Sequence, residues 1–179
     1  MKKIYGLILT LILSMIFAGS TTAQISSVYT SLTGGNCQTI ETTEETGGSV
    51  QKCKGFGDWS LMILDDDERM SVNVITPEEK QHELDFWSVV TTAFSSLGAK
   101  AEWRVKKKAG ELQPIALIIR VNSTSEATGK RKRSSYLAVS KITADGICVV
   151  EKISVQKNAN RLAQTSADNA AAKPCLPKQ

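Results

Sequence analysis

Trp59-Ser60-Leu61-Met62-Ile63-Leu64-Asp65-Asp66-Asp67-Glu68-Arg69-Met70-Ser71-Val72-Asn73-Val74-Ile75 is the stretch that decides the fold. Folded about Asp66-Asp67, it sets Ile63 against Met70, Leu61 against Val72 and Trp59 against Val74. The intervening pairs are Leu64 with Arg69, Met62 with Ser71 and Ser60 with Asn73. One face is wholly apolar and the other mixed, which predicts a β-hairpin with one buried side. Asp-Asp is a weaker turn than Asn-Gly, so the register is free to slip by one residue.

Downstream, Thr76-Pro77-Glu78-Glu79 reads as a capping box with Pro at the first helical position. It starts one short helical turn or is a longer connection. Leu84 to Val90 reads as strand, and Thr91 to Leu97 as a helical turn ending at Gly98. Ala101 to Lys107 alternates as a strand. Pro114 introduces Ile115 to Val121, apolar on both faces apart from Arg120, as a central strand under a helix would be. Asn122 to Ser135 reads as a polar loop. Tyr136 to Thr143 and Ile147 to Val155 flank Asp145-Gly146, the best hairpin turn in the chain, with Ile142 against Val149 and Thr143 against Cys148. A helix from about Asn158 to Ala171 carries a small-residue face of Ala159, Leu162, Ala163, Ser166 and Ala170. The expected class is α+β: a mainly antiparallel sheet of about six or seven strands, a C-terminal helix packed on it, and room for one short internal helix.

The chain has 179 residues, with 22 Lys+Arg, 18 Asp+Glu and a single His. Residues 1–23 have the parts of a secretory signal: Lys2 and Lys3, the apolar run Ile4 to Ala18, then Thr21-Thr22-Ala23. The run is about 15 residues, short of the ~20 that span a bilayer, so cleavage is favoured over a retained anchor. Removing 23 residues leaves 156 and takes the formal charge from +4 to +2, which does not suggest a nucleic-acid binder. No later segment is apolar enough to span a membrane. Residues 24–36 read as a polar lead-in with an edge strand at Val28 to Leu32, and 37–179 as one disulfide-bonded domain.

Cys37, Cys53, Cys148 and Cys175 all follow the leader, and an even number in an exported chain reads as disulfides. Three pairings exist. A turn-rich Glu44-Glu45-Thr46-Gly47-Gly48-Ser49 between Cys37 and Cys53 suits a closed hairpin. From Cys148, an outgoing strand at about 3.3 Å per residue and a returning helix at about 1.5 Å per residue have similar lengths, which brings Cys175 back beside it. No C-x-x-C or Cys/His cluster exists, which argues against zinc.

No catalytic set, cofactor motif or metal set emerges. His82 sits in polar Lys80-Gln81-His82-Glu83 and reads as an exposed bystander; Glu79-x-x-His82 is a lone pair of ligands. Asp65-Asp66-Asp67-Glu68 lacks the alternate spacing and Gly of a calcium loop. Glu41, Glu44, Glu45 and Glu102 are carboxylates that nothing in the sequence places about a cleft. Gly129-Lys130 lacks the upstream Gly and following Ser/Thr of a phosphate loop. Two basic groups stand out: Lys130-Arg131-Lys132-Arg133, and Arg104 with Lys106, Lys107 and Lys108. They form an anion-facing patch, or a solvated loop and a lysine-protected edge strand. Trp59, Trp87, Trp103, Phe56, Phe86 and Phe94 read as core or pocket lining. Asn122-Ser123-Thr124 matches a glycosylation acceptor.

Cys37, Cys53 with Gly55, the hairpin ending near Arg69, Leu84-Asp85-Phe86-Trp87, and Phe94 to Gly98 leading into Glu102-Trp103-Arg104 resemble a group of small, uncharacterised secreted proteins of Gram-negative bacteria. The resemblance runs from about Tyr29 to Val121, and the ending of helix then Pro174-Cys175 is also similar. It implies a periplasmic location and carries no activity. The functional expectation is a non-enzymatic periplasmic or secreted domain that binds another macromolecule, such as an inhibitor of an extracellular hydrolase like lysozyme. The alternatives are a carboxylate-dependent cell-envelope hydrolase, tested at Glu102, and an envelope protein that binds anionic lipid or polymer through Lys130 to Arg133.

Overall fold

A computed structural model describes residues 24–43, 47–127 and 130–179. The signal reading of 1–23, and with it Glu44 and Glu45, lies outside them. The described residues form ten strands in one sheet, not six or seven. They are β1 (Ile25–Ser31), β2 (Cys37–Thr43), β3 (Gly48–Lys54), β4 (Ser60–Asp66), β5 (Arg69–Ile75), β6 (Gln81–Glu83), β7 (Phe94–Lys108), β8 (Glu111–Ala127), β9 (Lys130–Thr143) and β10 (Gly146–Ser154). The helices are α1 (Phe86–Val89) and α2 (Ala159–Asp168).

The order is β10-β9-β8-β7-β5-β4-β3-β2, with β1 on β7 and β6 on β5. The sheet is mixed. Arg69 of β5 pairs parallel with Ser95 of β7, and the other pairings are antiparallel. That parallel contact joins two antiparallel halves. Trp103, Leu117, Ile119 and Val121 of one half share a buried cluster with Cys53, Leu61, Ile63, Val72 and Val74 of the other. The opposite face of β8–β10 buries Ala116, Ile118, Val139, Val150 and Ile153 against the alanines of α2. The layers are therefore half-sheet, half-sheet, helix.

The β4–β5 hairpin keeps its predicted faces but turns one residue later. Ile63 meets Val72 and Leu61 meets Val74. Asp67 (φ 51°) and Glu68 (φ 56°) take the left-handed conformations of a tight hairpin turn. The slip moves each partner by two positions, so no side chain changes face. The β9–β10 hairpin slips in the opposite direction and turns one residue earlier: Ile142 meets Ile147, Thr143 meets Gly146, and Ala144-Asp145 make the turn. A bulge between Val149 and Glu151 puts Val149 in the inner core and both Val150 and Ile153 against α2.

Three other expectations fail, and the open reading at Thr76 resolves as a connection: Thr76 N–H donates to the Lys80 carbonyl (3.0 Å) and the turn leads into β6. Leu84 to Val90 is not strand. Asp85 adopts φ 46°, accepts from Ser88 Oγ (2.9 Å), and opens α1, which buries Phe86, Val89 and Val90. Thr91 to Leu97 is not a helical turn but the lead into β7. Gly98 lies in that strand because a Cβ there would come 2.8 Å from the Arg120 Cβ. Within the expected loop Asn122 to Ser135, residues 122–127 and 130–135 are not loop but the paired ends of β8 and β9. In α2, Ala159, Ala163, Ser166 and Ala167 are buried and Ala170 follows in a terminal turn, while Leu162 is 46% exposed. The Ala159/163/167 stripe at four-residue spacing brings the helix close to the sheet.

The cysteines bridge as Cys37–Cys53 and Cys148–Cys175. Among the described residues no helix is long and apolar enough to cross a membrane.

Candidate functional site

The two basic groups do not meet. Lys106 and Lys107 pair with Gln113 and Leu112 at one end of β8, whereas Lys130 to Arg133 pair with Ala127 to Thr124 at the other. At about 3.3 Å per residue the length of β8 holds them roughly 40 Å apart. Lys106 and Lys108 are exposed at their end. Arg104 points elsewhere and is only 8% exposed. Its Nε and Nη2 donate to the Asp168 carboxylate of α2 (2.7 and 2.9 Å), and Nη1 donates to Ser27 Oγ. Asp168 and the nearby Glu102 (3.8 Å) hold the guanidinium above its ordinary value against burial. Arg104 is a clamp between β7 and α2, not an anion site.

Lys130 to Arg133 form a projecting arm. β7 ends its pairing with β8 at Phe94–Thr124, and β10 ends its pairing with β9 at Ser154–Tyr136. Beyond these, Ser125, Glu126 and Ala127 pair only with Lys132, Arg131 and Lys130. All four cations are exposed, and none makes an ion pair among the described residues. Alternation along the strand puts Lys130 and Lys132 on one face and Arg131 and Arg133 on the other. Asn122–Ser135 holds four cations and one carboxylate, a charge of +3. The chain from 24 onward carries +2, so everything outside the arm is net −1.

Below the arm is a hollow of 450 Å³ bordered by Asp65, Glu68, Phe94, Arg131 and Arg133. Burial, then Glu68 and Asp66, raise the Asp65 carboxyl. The acidic run does not converge on one point. Asp65 and Asp66 lie on β4, and Asp67 in the turn pairs with Arg69 (2.5 Å). Among the described residues no three His, Cys, Asp or Glu are grouped to hold a metal.

At the opposite end the β3–β4, β5–β6, β7–β8 and β9–β10 connections surround a cleft of 880 Å³. Phe56, Trp59, Ile142 and Ile147 supply apolar lining, and Asp58, Glu78, Lys80, His82, Lys108 and Glu111 supply polar groups. Trp59 meets the buried Trp103 edge-on (6.2 Å, 61°). Burial, then Lys80, lower the His82 imidazole from its ordinary value. The sequence marked Phe56 and Trp59 as core or pocket lining. The cleft itself needed the strand order, which puts every second connection at one end.

Of the carboxylates that the sequence offered for hydrolysis, Glu41 and Glu102 do not line this cleft, and Glu44 and Glu45 lie outside the described residues. Glu102 accepts from Ser27 Oγ (2.5 Å) and Gln164 Nε2 (2.8 Å) beside Arg104, and Glu41 is exposed on β2. Asn122 of the acceptor motif lies in β8, its amide oxygen bonded to Ser135 Oγ (3.0 Å).

Glu151 of β10 accepts from Lys173 and from Ser166 Oγ (2.6 Å), and these bonds hold its carboxyl below the usual glutamate range. A lowered folded-state pKa means stability that is complete above the unfolded value and lost as pH falls through the folded one. Urea titrations from about pH 5 to about pH 3 should show this loss, and Glu151→Gln should flatten it. Both side chains are about a third exposed or more, so the effect stays under about 1 kcal/mol.

No family model, curated protein sequence or solved structure matches this chain.

Proposed function

We propose that this protein is an exported, non-enzymatic module that binds another macromolecule, and that the β8–β9 arm is its contact surface for an acidic partner. The arm carries the reading: four exposed cations without ion-pair partners among the described residues, on a two-stranded ribbon that overhangs the sheet. A paired ribbon loses less conformational freedom on binding than a loop. The cost of removing its charges from water is offset by an acidic partner. The inhibitor version follows from shape. A narrow cationic ribbon can enter a hydrolase cleft that holds paired carboxylates, as a lysozyme cleft does. Export is supported by the secretory pattern of 1–23 and by two disulfides, which persist in oxidising compartments. A carboxylate-dependent hydrolase is the second reading; it is favoured by Glu78, on the β5–β6 turn, and Glu111, at the start of β8, around the end cleft.

A photo-crosslinking amino acid at Ser125 tests the contact surface, with the same group at Lys107 as control. In envelope extract, and with a panel of secreted hydrolases, the Ser125 probe should form a discrete adduct and the Lys107 probe none. Equal labelling from both positions, or none from Ser125, would refute the arm as the contact.

A further inference from the structure

The end cleft has a floor and a rim of different chemistry. Trp59 and Phe56 are half-buried in the floor, with Ile142 and Ile147 beside them. The floor is rigidly placed. Gly55 N–H donates to the Trp59 carbonyl (2.9 Å), and a Cβ at Gly55 would stand 2.7 Å from that oxygen and 2.8 Å from the Trp103 ring. The Trp59 indole N–H has no protein partner among the described residues and is not sealed from solvent. The rim offers carboxylate acceptors at Asp58, Glu78 and Glu111, ammonium donors at Lys80 and Lys108, and both functions at His82.

Ligand classes can be separated on this chemistry. A strongly charged ligand meets both signs on the rim. An acyl chain would leave the rim groups desolvated against hydrocarbon. A pyranose ring satisfies both layers. Its C–H face covers aromatic surface, its hydroxyls donate to carboxylates, and they accept from ammonium and indole N–H. The volume of 880 Å³ lies within the range of roughly 300–1,000 Å³ for small-molecule sites and accommodates more than one ring. We propose that this cleft binds a neutral oligosaccharide, through stacking on Trp59 and Phe56 and hydrogen bonds to the Asp58, Glu78 and Glu111 carboxylates. The site lies at the far end of β8 from the arm and does not depend on the arm's function.

The test is a tryptophan-fluorescence titration of the oxidised protein with chitotetraose and with maltotetraose; lauric acid and inorganic phosphate serve as competing probes. Trp59 is the tryptophan that borders the cleft; Trp103 is buried in the core. At least one tetrasaccharide should give a saturable change in emission. Glu78→Gln with Glu111→Gln should weaken it by about tenfold, and Trp59→Phe should also weaken it. Glu78 lies on an exposed turn and Glu111 at the exposed start of β8, so the Gln pair keeps the test valid if Trp59→Phe misfolds. Neutralising Lys130 to Arg133 should leave it unchanged. No saturable change up to about 10 mM of either tetrasaccharide, or saturation by laurate or phosphate instead, would overturn the proposal. Shortening of the oligosaccharide would support binding here and would overturn the non-enzymatic reading alone.

Discussion

Replacing Cys148 and Cys175 by serine should destabilise the protein by about 3.5 kcal/mol, the chain-entropy value for a loop of this length. The bridge spans 27 residues, more than the 16 of Cys37–Cys53. It also anchors the tail. Beyond it, Leu176 N–H donates to the Val149 carbonyl (2.8 Å), Lys178 pairs with Asp85 (2.6 Å), and Gln179 N–H donates to the Ser88 carbonyl (2.7 Å). The tail thus fastens α1 to the edge of β10. Burial alone would raise the Asp85 carboxyl, but Lys178 and Ser88 outweigh it and hold it low. Non-reducing thermal melts should show a fall of roughly 10 °C for a chain of this size. A loss below about 1 kcal/mol would mean that the tail holds without its bridge.

Arg104→Met should cost about 3 kcal/mol, the low end for breaking a buried pair. Its side chain is 10% exposed, whereas that of Asp168 is 28% exposed and keeps some access to water. The substitution removes a bidentate bond and the bond to Ser27. It leaves Asp168 and Glu102 facing each other's charge without a cation. Asp168→Asn should cost less, and the double variant less than the sum of the two, because both act on one contact. Urea unfolding of the four proteins completes the cycle; strict additivity would show that Arg104 and Asp168 are not energetically coupled.

The hairpins were legible because their apolar alternation is set by side-chain facing, which a two-position slip does not alter. The same slip explains why partner identity was not legible: Asp67-Glu68 and Ala144-Asp145 displaced the expected turn pairs. In Leu84 to Val90 the β-branched Val89 and Val90 favour strand locally. The spacing of Phe86, Val89 and Val90 is helical, and the Asp85–Ser88 side-chain bond is a local start signal. In Thr91 to Gly98 the local signal is the glycine that commonly ends helices. Here it makes room for Arg120 on the neighbouring strand, a tertiary demand with no local mark.

For the site, composition exposed the cations but not their geometry. A run of Ser, Thr, Lys and Arg resembles a loop because both faces of an overhanging ribbon are solvated. Only the pairing of β8 with β9 distinguishes it. Arg104 stood among basic neighbours in sequence, yet strand alternation carried it to the α2 side, where Asp168 arrives from 64 residues away.

The central claim is that the arm is the binding surface for an acidic macromolecule. Its most direct test is a paired capture. The oxidised protein and a variant carrying Lys130→Gln, Arg131→Gln, Lys132→Gln and Arg133→Gln are immobilised and exposed to envelope extract and secreted hydrolases at about 0.15 M salt, where exposed charges act over only ~8 Å. The account predicts a stoichiometric partner on the wild-type surface that is lost from the variant, with both proteins melting within about 2 °C of each other. The same partner on both surfaces, or none on either, would contradict it.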